Sequence, residues 1–261
     1  MVRSTGTRDS NSTVAESEIE FLYKYRELSE ANVERVERIF ANSELYFASP
    51  KQFNDPFDSK VLLSLHGTKE EWRNYLRQLY KNFRPHWNRE QRFAEVELIM
   101  REGRYKRIPK DAVNSYLDEI GVFSMSERND HILMWSHYSK NHTGFCLEFK
   151  ATSDTSFFGR ALKVEYAEDY PEVNFFRSSR DEQMKTVLLT KAKLWEYEQE
   201  WLIIDYETGS GVYTFQPDLL TGVIIGCQMS DKKKEKIHSW VKNREPQPNL
   251  TSRNFYKLLE L

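Results

Sequence analysis

Residues 195–205 read WEYEQEWLIID, with Glu196, Glu198 and Glu200 at alternate positions just ahead of a continuous apolar run. On a strand, side chains two apart share a face, so the pattern predicts three carboxylates along one side of a strand that becomes buried at its far end. Like charges so placed repel. Two readings stay open. Either the face is solvated, with Glu196 and Glu198 pairing to Lys191 and Lys193, or the charge is used, because a carboxylate fixed at the mouth of a buried strand stabilises positive charge that appears only in a transition state.

Outward from this stretch, the segment SSRDEQMKTVLLTKAKLWEYE (178–198) predicts a helix running up to the glutamates. GVFSMS, TGFCLEFK, ALKVEYAE and TGVIIGCQMS predict strands, and DHILMWSHYS and DKKKEKIHSWVKN predict helices. Toward the N-terminus, FLYKYREL predicts a short strand. A helix follows with Ser29 at its start and Val33, Val36, Ile39 and Phe40 as its apolar stripe, and then ELYFASP, a second short strand stopped by Pro50. KQFNDPFDS carries turn chemistry on Asn54, Asp55 and Pro56. Trp72, Tyr75, Leu76, Leu79, Tyr80 and Phe83 recur at helical spacing, which predicts a helical insertion over about 66–118. Strands and helices do not alternate strictly, so the expected class is α+β rather than a doubly wound parallel sheet.

A chain of 261 residues buries a sizeable core. The expectation is one domain over 19–261, preceded by a disordered Ser/Thr-rich tail over 1–18. A net charge of -2 selects no partner. Cys146 and Cys227 both sit in apolar surroundings, which suits buried free thiols in a reducing compartment. With no apolar run of membrane-spanning length, the expected location is the cytoplasm, with no membrane partner.

The usual Gly-rich phosphate loops do not occur, which disfavours a P-loop or an ordinary dinucleotide fold. His131, His137 and His142 fit no common zinc spacing, and no metal is expected. Ser136 beside His137 lacks a nucleophile-elbow setting. LYKYR (22–26) places Leu22, Lys24 and Arg26 on one face and Tyr23 and Tyr25 on the other, a mixture suited to a ligand with a flat ring and phosphates.

In order, LYKYR, a helix, LYFAS (45–49) and EQEWLII (198–204) resemble the three motifs of the ADP-ribosyltransferase superfamily, whose fold is a split β-sheet core. The third motif matches best, with Glu200 at the catalytic glutamate and Glu198 as the first carboxylate of an E-x-E. The second matches through Tyr46, Phe47, Ala48 and Ser49. The first departs, having neither His nor Gly, so Lys24 or Arg26 takes that role. FASPKQFNDPFD, ILMWSHYSKNHTGFCLEF and WEYEQEWLI also resemble a bacterial family known only as a domain of unknown function, over Phe21 to about Ile225.

The transferase resemblance implies NAD as substrate. Glu200 then holds a ribose hydroxyl and stabilises an oxocarbenium-like ribose, and Glu198 orients or deprotonates the acceptor. Tyr25 or Tyr46 stacks on nicotinamide, the backbone at Lys24 and Tyr25 holds its amide, and Arg26 holds phosphate or ribose. Tyr23, Ser49, Asn54, Asp55, His137 and Tyr138 complete the pocket, with Trp135 beside them. Between Lys69 and Lys110 twelve Lys and Arg face six Glu, so a nucleic acid is one expected acceptor and a protein another. A bacterial toxin or phage-defence effector of this kind implies an antitoxin partner. The alternatives are a non-catalytic binding module on the same fold and a metal-dependent nuclease using Glu198, Glu200 and Asp55.

Overall fold

The computed structural model describes residues 13–14, 19–53, 62–107, 120–152, 157–169 and 171–252. The strands are β1 (Phe21–Arg26), β2 (Glu44–Phe47), β3 (Leu62–Ser64), β4 (Gly121–Ser126), β5 (Phe145–Lys150), β6 (Leu162–Lys163), β7 (Glu165–Ala167), β8 (Glu172–Asn174), β9 (Thr190–Ala192), β10 (Glu200–Asp205), β11 (Gly211–Thr214), β12 (Leu220–Ile225) and β13 (Asn249–Ser252). The helices are α1 (Val33–Asn42), α2 (Lys69–Phe83), α3 (Arg89–Glu102), α4 (Ile132–Tyr138), α5 (Arg180–Leu189) and α6 (Asp231–Lys242). The architecture is α+β, as the sequence pattern predicts.

Seven strands form one mixed sheet in the order β13-β12-β5-β1-β4-β10-β6, antiparallel throughout except for the parallel β12–β13 pair. Alternation decides what lies on each face. Leu22, Phe123, Met125, Trp201 and Ile203 point to the main core, which α1 closes with Val36, Ile39 and Phe40 and α6 with Ile237 and Val241. On the opposite face Tyr25 and Cys146 pack beneath Met134 and Trp135 of α4, and Val122 and Leu202 pack beneath Val187, Leu188 and Leu189 around α5.

The sheet is divided within itself. β1 and β5 run together over six register pairs, and so do β10 and β4, whereas β1 and β4 share a single pair, Tyr23 with Ser126. Beyond that pair the ladder parts. The Lys24 amine fills the parting, donating to the Ser124 carbonyl at 2.5 Å and to Ser124 Oγ at 2.9 Å. A backbone acceptor that lost its strand partner is thereby satisfied by a side chain.

Several local readings change. The helix expected up to the glutamates ends at Leu189, because Thr190–Ala192 pair in parallel with β7. Lys193–Glu198 then form a 3-10 helix, closed by Gln199 in the left-handed region at φ 42°, and the strand starts only at Glu200. Glu196, Glu198 and Glu200 therefore do not share one strand face. Helix α1 starts at Val33 rather than at Ser29, whose N–H donates instead to Asn32 Oδ1. Cys146 is buried as expected, but Cys227 lies past the end of β12 and is exposed.

The helical insertion is a hairpin of α2 and α3 with its own small core of Leu76, Val96 and Ile99. Trp72 and Tyr75 anchor it on Phe175 and Phe176. Residues 108–118 of the expected insertion lie outside the described residues. So does the expected tail, apart from Thr13, which bridges to Leu162, and Val14, which is buried in the main core. Among the described residues no helix is long and apolar enough to cross a membrane.

Candidate functional site

The turn at Gln199 decides the site. By separating the 3-10 helix from β10 it leaves Glu196 outside, paired with Lys193 at 2.6 Å in solvent, and folds Glu198 and Glu200 inward. Both inner carboxylates are nearly enclosed, and both meet one amine from β9. Lys191 Nζ lies 2.6 Å from Glu200 Oε2 and 3.7 Å from Glu198 Oε2. The closer contact is an ion pair that lacks hydrogen-bond alignment. Two buried charges of one sign require such a counter-ion, since removing them from water costs several kcal/mol per ion.

Hydroxyls fix the rest of the cluster. Tyr138 on α4 donates to Glu198 Oε1 at 2.5 Å, and Ser126 on β4 donates to the Glu198 carbonyl at 2.6 Å. The Glu200 N–H donates to Tyr166 Oη at 2.8 Å. Burial, with Glu200 next, raises the Tyr166 phenol well above its ordinary value. Tyr197 is pushed up to about 12 by burial and then by Glu198. Its ring stacks on His131, and its hydroxyl lies 3.2 Å from His137 Nδ1.

Lys24 and Arg26 crowd the same region from β1. Burial, followed by the Arg26 charge, lowers the Lys24 amine to about 7. Burial, followed by Arg35, lowers the Arg26 guanidinium to about 10. Arg26 Nε is enclosed without a hydrogen-bond partner, and among the described residues no carboxylate pairs with this side chain.

These groups line two connected spaces. An inner pocket of about 80 Å³ is lined by Lys24, Ser124, Tyr138, Lys191, Glu198 and Glu200, among others. At roughly 10–15 Å³ for one water, that is room for about six. Lys24, Phe53, Ser124 and Tyr138 also border an outer groove of about 960 Å³, where Arg26, Arg35 and Lys140 supply positive charge and Tyr46 and Trp195 supply rings.

Of the residues expected from sequence, Tyr23, Lys24, Tyr25, Tyr138, Glu198 and Glu200 line the inner pocket, and Lys24, Arg26, Tyr46, His137 and Tyr138 line the groove. Tyr25 is nearly buried, edge-on to Trp135 at 5.2 Å with its hydroxyl on the Arg128 carbonyl, so its ring braces α4. Tyr23 is raised to about 12 by burial and then by Glu148. Trp135 is fully buried and donates to the Asn129 carbonyl. Ser49 lines neither space, its N–H donating to Gln52 Oε1 at the start of the turn Pro50–Gln52. Asn54 and Asp55 lie outside the described residues.

Sequence reasoning missed Ser124, Ser126 and Tyr166, none of which stands near the glutamates in the chain. Lys191 was legible only as a partner of Glu196 or Glu198 on a solvated face, and in the folded chain it is enclosed with Glu198 and Glu200. Among the described residues no group of three or more His, Cys, Asp or Glu is placed to hold a metal ion.

The hydrogen-bonded segment from α4 to β10 is also where the chain meets a known family. Residues 134–203 match the model of DUF2971, a protein of unknown function. The DUF2971 match spans Tyr138, Tyr166, Lys191, Glu198 and Glu200, the carboxylate side of the pocket, and stops short of Lys24 and Ser124 on the other wall. No curated protein and no solved structure matches the chain.

Proposed function

We propose that the chain is an NAD-dependent ADP-ribosyltransferase, with the nicotinamide ribose held at the mouth of the inner pocket within reach of the glutamates and the outer groove receiving the rest of the dinucleotide. The observation that carries this reading is convergence. The Glu198/Glu200 pair lines the inner pocket and Tyr46 the outer groove, and these residues, distant in sequence, border neighbouring spaces that share Lys24 where the sheet parts. A parted sheet also agrees with the split β-sheet core that the motif resemblance implies.

In the reaction the bond between C1′ of ribose and the nicotinamide nitrogen breaks, and its electron pair leaves with nicotinamide. The Glu200 carboxylate, paired with Lys191, holds a ribose hydroxyl and opposes the positive charge on C1′. Glu198 takes the acceptor's proton as the acceptor bonds to C1′. Arg26 and Arg35 face the pyrophosphate, and Tyr46 offers a ring edge to the nucleoside. The acceptor is a macromolecule, and the chain acts as a toxin or antiviral effector that a protein partner neutralises.

One observation favours a second reading. Lys191 pairs with Glu200 and lies close to Glu198, whose other oxygen accepts from Tyr138, so both carboxylates are already engaged within the protein, which suits a non-catalytic binding module.

Nicotinamide release from NAD, measured with purified wild type and Glu200→Gln in the presence of cell extract or cellular RNA, separates the two. Release that falls at least 100-fold in Glu200→Gln supports the transferase. NAD binding with no release from wild type under any condition favours the module, and neither binding nor release ends both NAD readings.

A further inference from the structure

The hairpin of α2 and α3 holds its cations in two settings. Near the body Arg73, Arg77 and Arg104 are paired, whereas Lys69 and Arg101 have no carboxylate partner among the described residues. Arg73 meets Glu97 at 2.9 Å and Glu70 at 3.9 Å, Arg77 meets Glu70 at 3.3 Å, and Arg104 meets Glu102 at 2.6 Å and Glu95 at 3.7 Å. The tip is different. Residues 81–93, KNFRPHWNREQRF, carry Lys81, Arg84, Arg89 and Arg92 against one acid, Glu90. Among the described residues none of these four cations has a carboxylate partner.

Rings accompany the cations. Phe83 is 70% exposed and Phe93 is 54% exposed, where a helix with no partner would place polar side chains. Between them Trp87 stacks on Tyr80, with planes 12° apart, and Arg84 lies over the Trp87 ring at 5.9 Å. The tip is held open by its own structure. Asn88 caps α3 through reciprocal bonds with Gln91, and α2, 15 residues long, carries Phe83 about 20 Å from the base of the hairpin.

We propose that this tip is a docking surface for single-stranded nucleic acid. Unpaired cations attract phosphates, and exposed rings stack on unpaired bases whatever their sequence. A duplex offers the same phosphates and hides its base faces, so single strands bind more tightly. An acidic protein would satisfy the cations and leave Phe83 and Phe93 without a stacking partner. The inference stands apart from NAD cleavage, because docking requires neither Glu200 nor a bound nucleotide.

The test uses full-length protein, in both wild-type and Glu200→Gln forms, and fluorescence anisotropy of labelled oligo(U) RNA, oligo(dT) and a DNA duplex, with poly-glutamate as competitor. Four phosphate contacts on a single strand give a salt slope of about -2.8, so affinity falls about 50-fold between 50 and 200 mM salt. The triple variant Arg84→Ala/Arg89→Ala/Arg92→Ala should bring that slope to about -0.7. Phe83→Ala/Phe93→Ala should weaken binding about tenfold or more with the slope kept. The RNA and DNA arms show which strand the tip prefers. Thermal unfolding of each variant at the wild-type temperature shows that only the surface has changed. Absence of binding at 50 mM salt, variants that bind like wild type, a duplex bound as tightly as a single strand, or displacement by poly-glutamate as effective as by unlabelled oligo(U) would each overturn the proposal.

Discussion

Lys24 ties the parting of the sheet to pH. Its amine is part-buried against Ser124 and Phe123, and burial, followed by the Arg26 charge, holds it at about 7 rather than 10.5. Between those two values the unfolded chain carries a proton that the folded chain releases, so raising pH favours the folded state. The disfavoured charge weighs fully below pH 7 and is relieved as pH rises toward the unfolded value. Applied to the single group, linkage gives about 2 kcal/mol of added stability between pH 7 and pH 9. Lys24→Met keeps the length of the side chain and removes the titration. Urea unfolding of wild type and Lys24→Met at pH 7, 8 and 9 isolates this contribution, because every other titrating group is common to both proteins. The wild type should gain about 2 kcal/mol on the variant across that range. A difference that stays within about 0.5 kcal/mol at all three values would refute the view that burial in the parted ladder neutralises this amine.

Other perturbations probe the same framework. Lys191→Met leaves two enclosed carboxylates without their cation and should cost about 3–5 kcal/mol. Adding Glu200→Gln should return at least about 1 kcal/mol in a double-mutant cycle followed by chemical denaturation, whereas strict additivity would deny the coupling. Arg244 donates to the carbonyls of Ile39, Phe40 and Pro217 and to Ser43 Oγ, so Arg244→Met should lower stability by about 3 kcal/mol, read as a drop of several degrees in thermal midpoint. At Gly144 an added Cβ would lie 2.1 Å from the Arg26 carbonyl and 2.9 Å from that of Ser139, so Gly144→Ala should leave little soluble protein, with hydrogen exchange along β1 and β5 the direct readout.

Much of the fold is legible because local chemistry and tertiary structure agree. The helical spacing of Trp72, Tyr75, Leu76 and Leu79 announces α2, and the apolar run after Glu200 announces the central strand. The errors cluster where a distant partner decides. Thr190–Ala192 continue a helical pattern and are drawn into pairing with β7 instead. Gln199 adopts a left-handed conformation that no glycine advertises, and that one residue breaks the apparent alternation of the glutamates. The parting of β1 from β4 leaves no mark on either strand, since each pairs fully with its other neighbour. Glu200 could therefore be found from its position before an apolar run, while Lys191, Tyr166 and Ser124 could be found only in space.

The single shared pair between β1 and β4 has a mechanical meaning. Four strands lie on one side of that seam and three on the other, so the molecule's largest element is two stiff plates joined along one line. Each plate keeps its own ladder, so the width of the space between them is set by how the two plates meet along that line and not by any loop, and the most highly charged interior of the protein lies beside it.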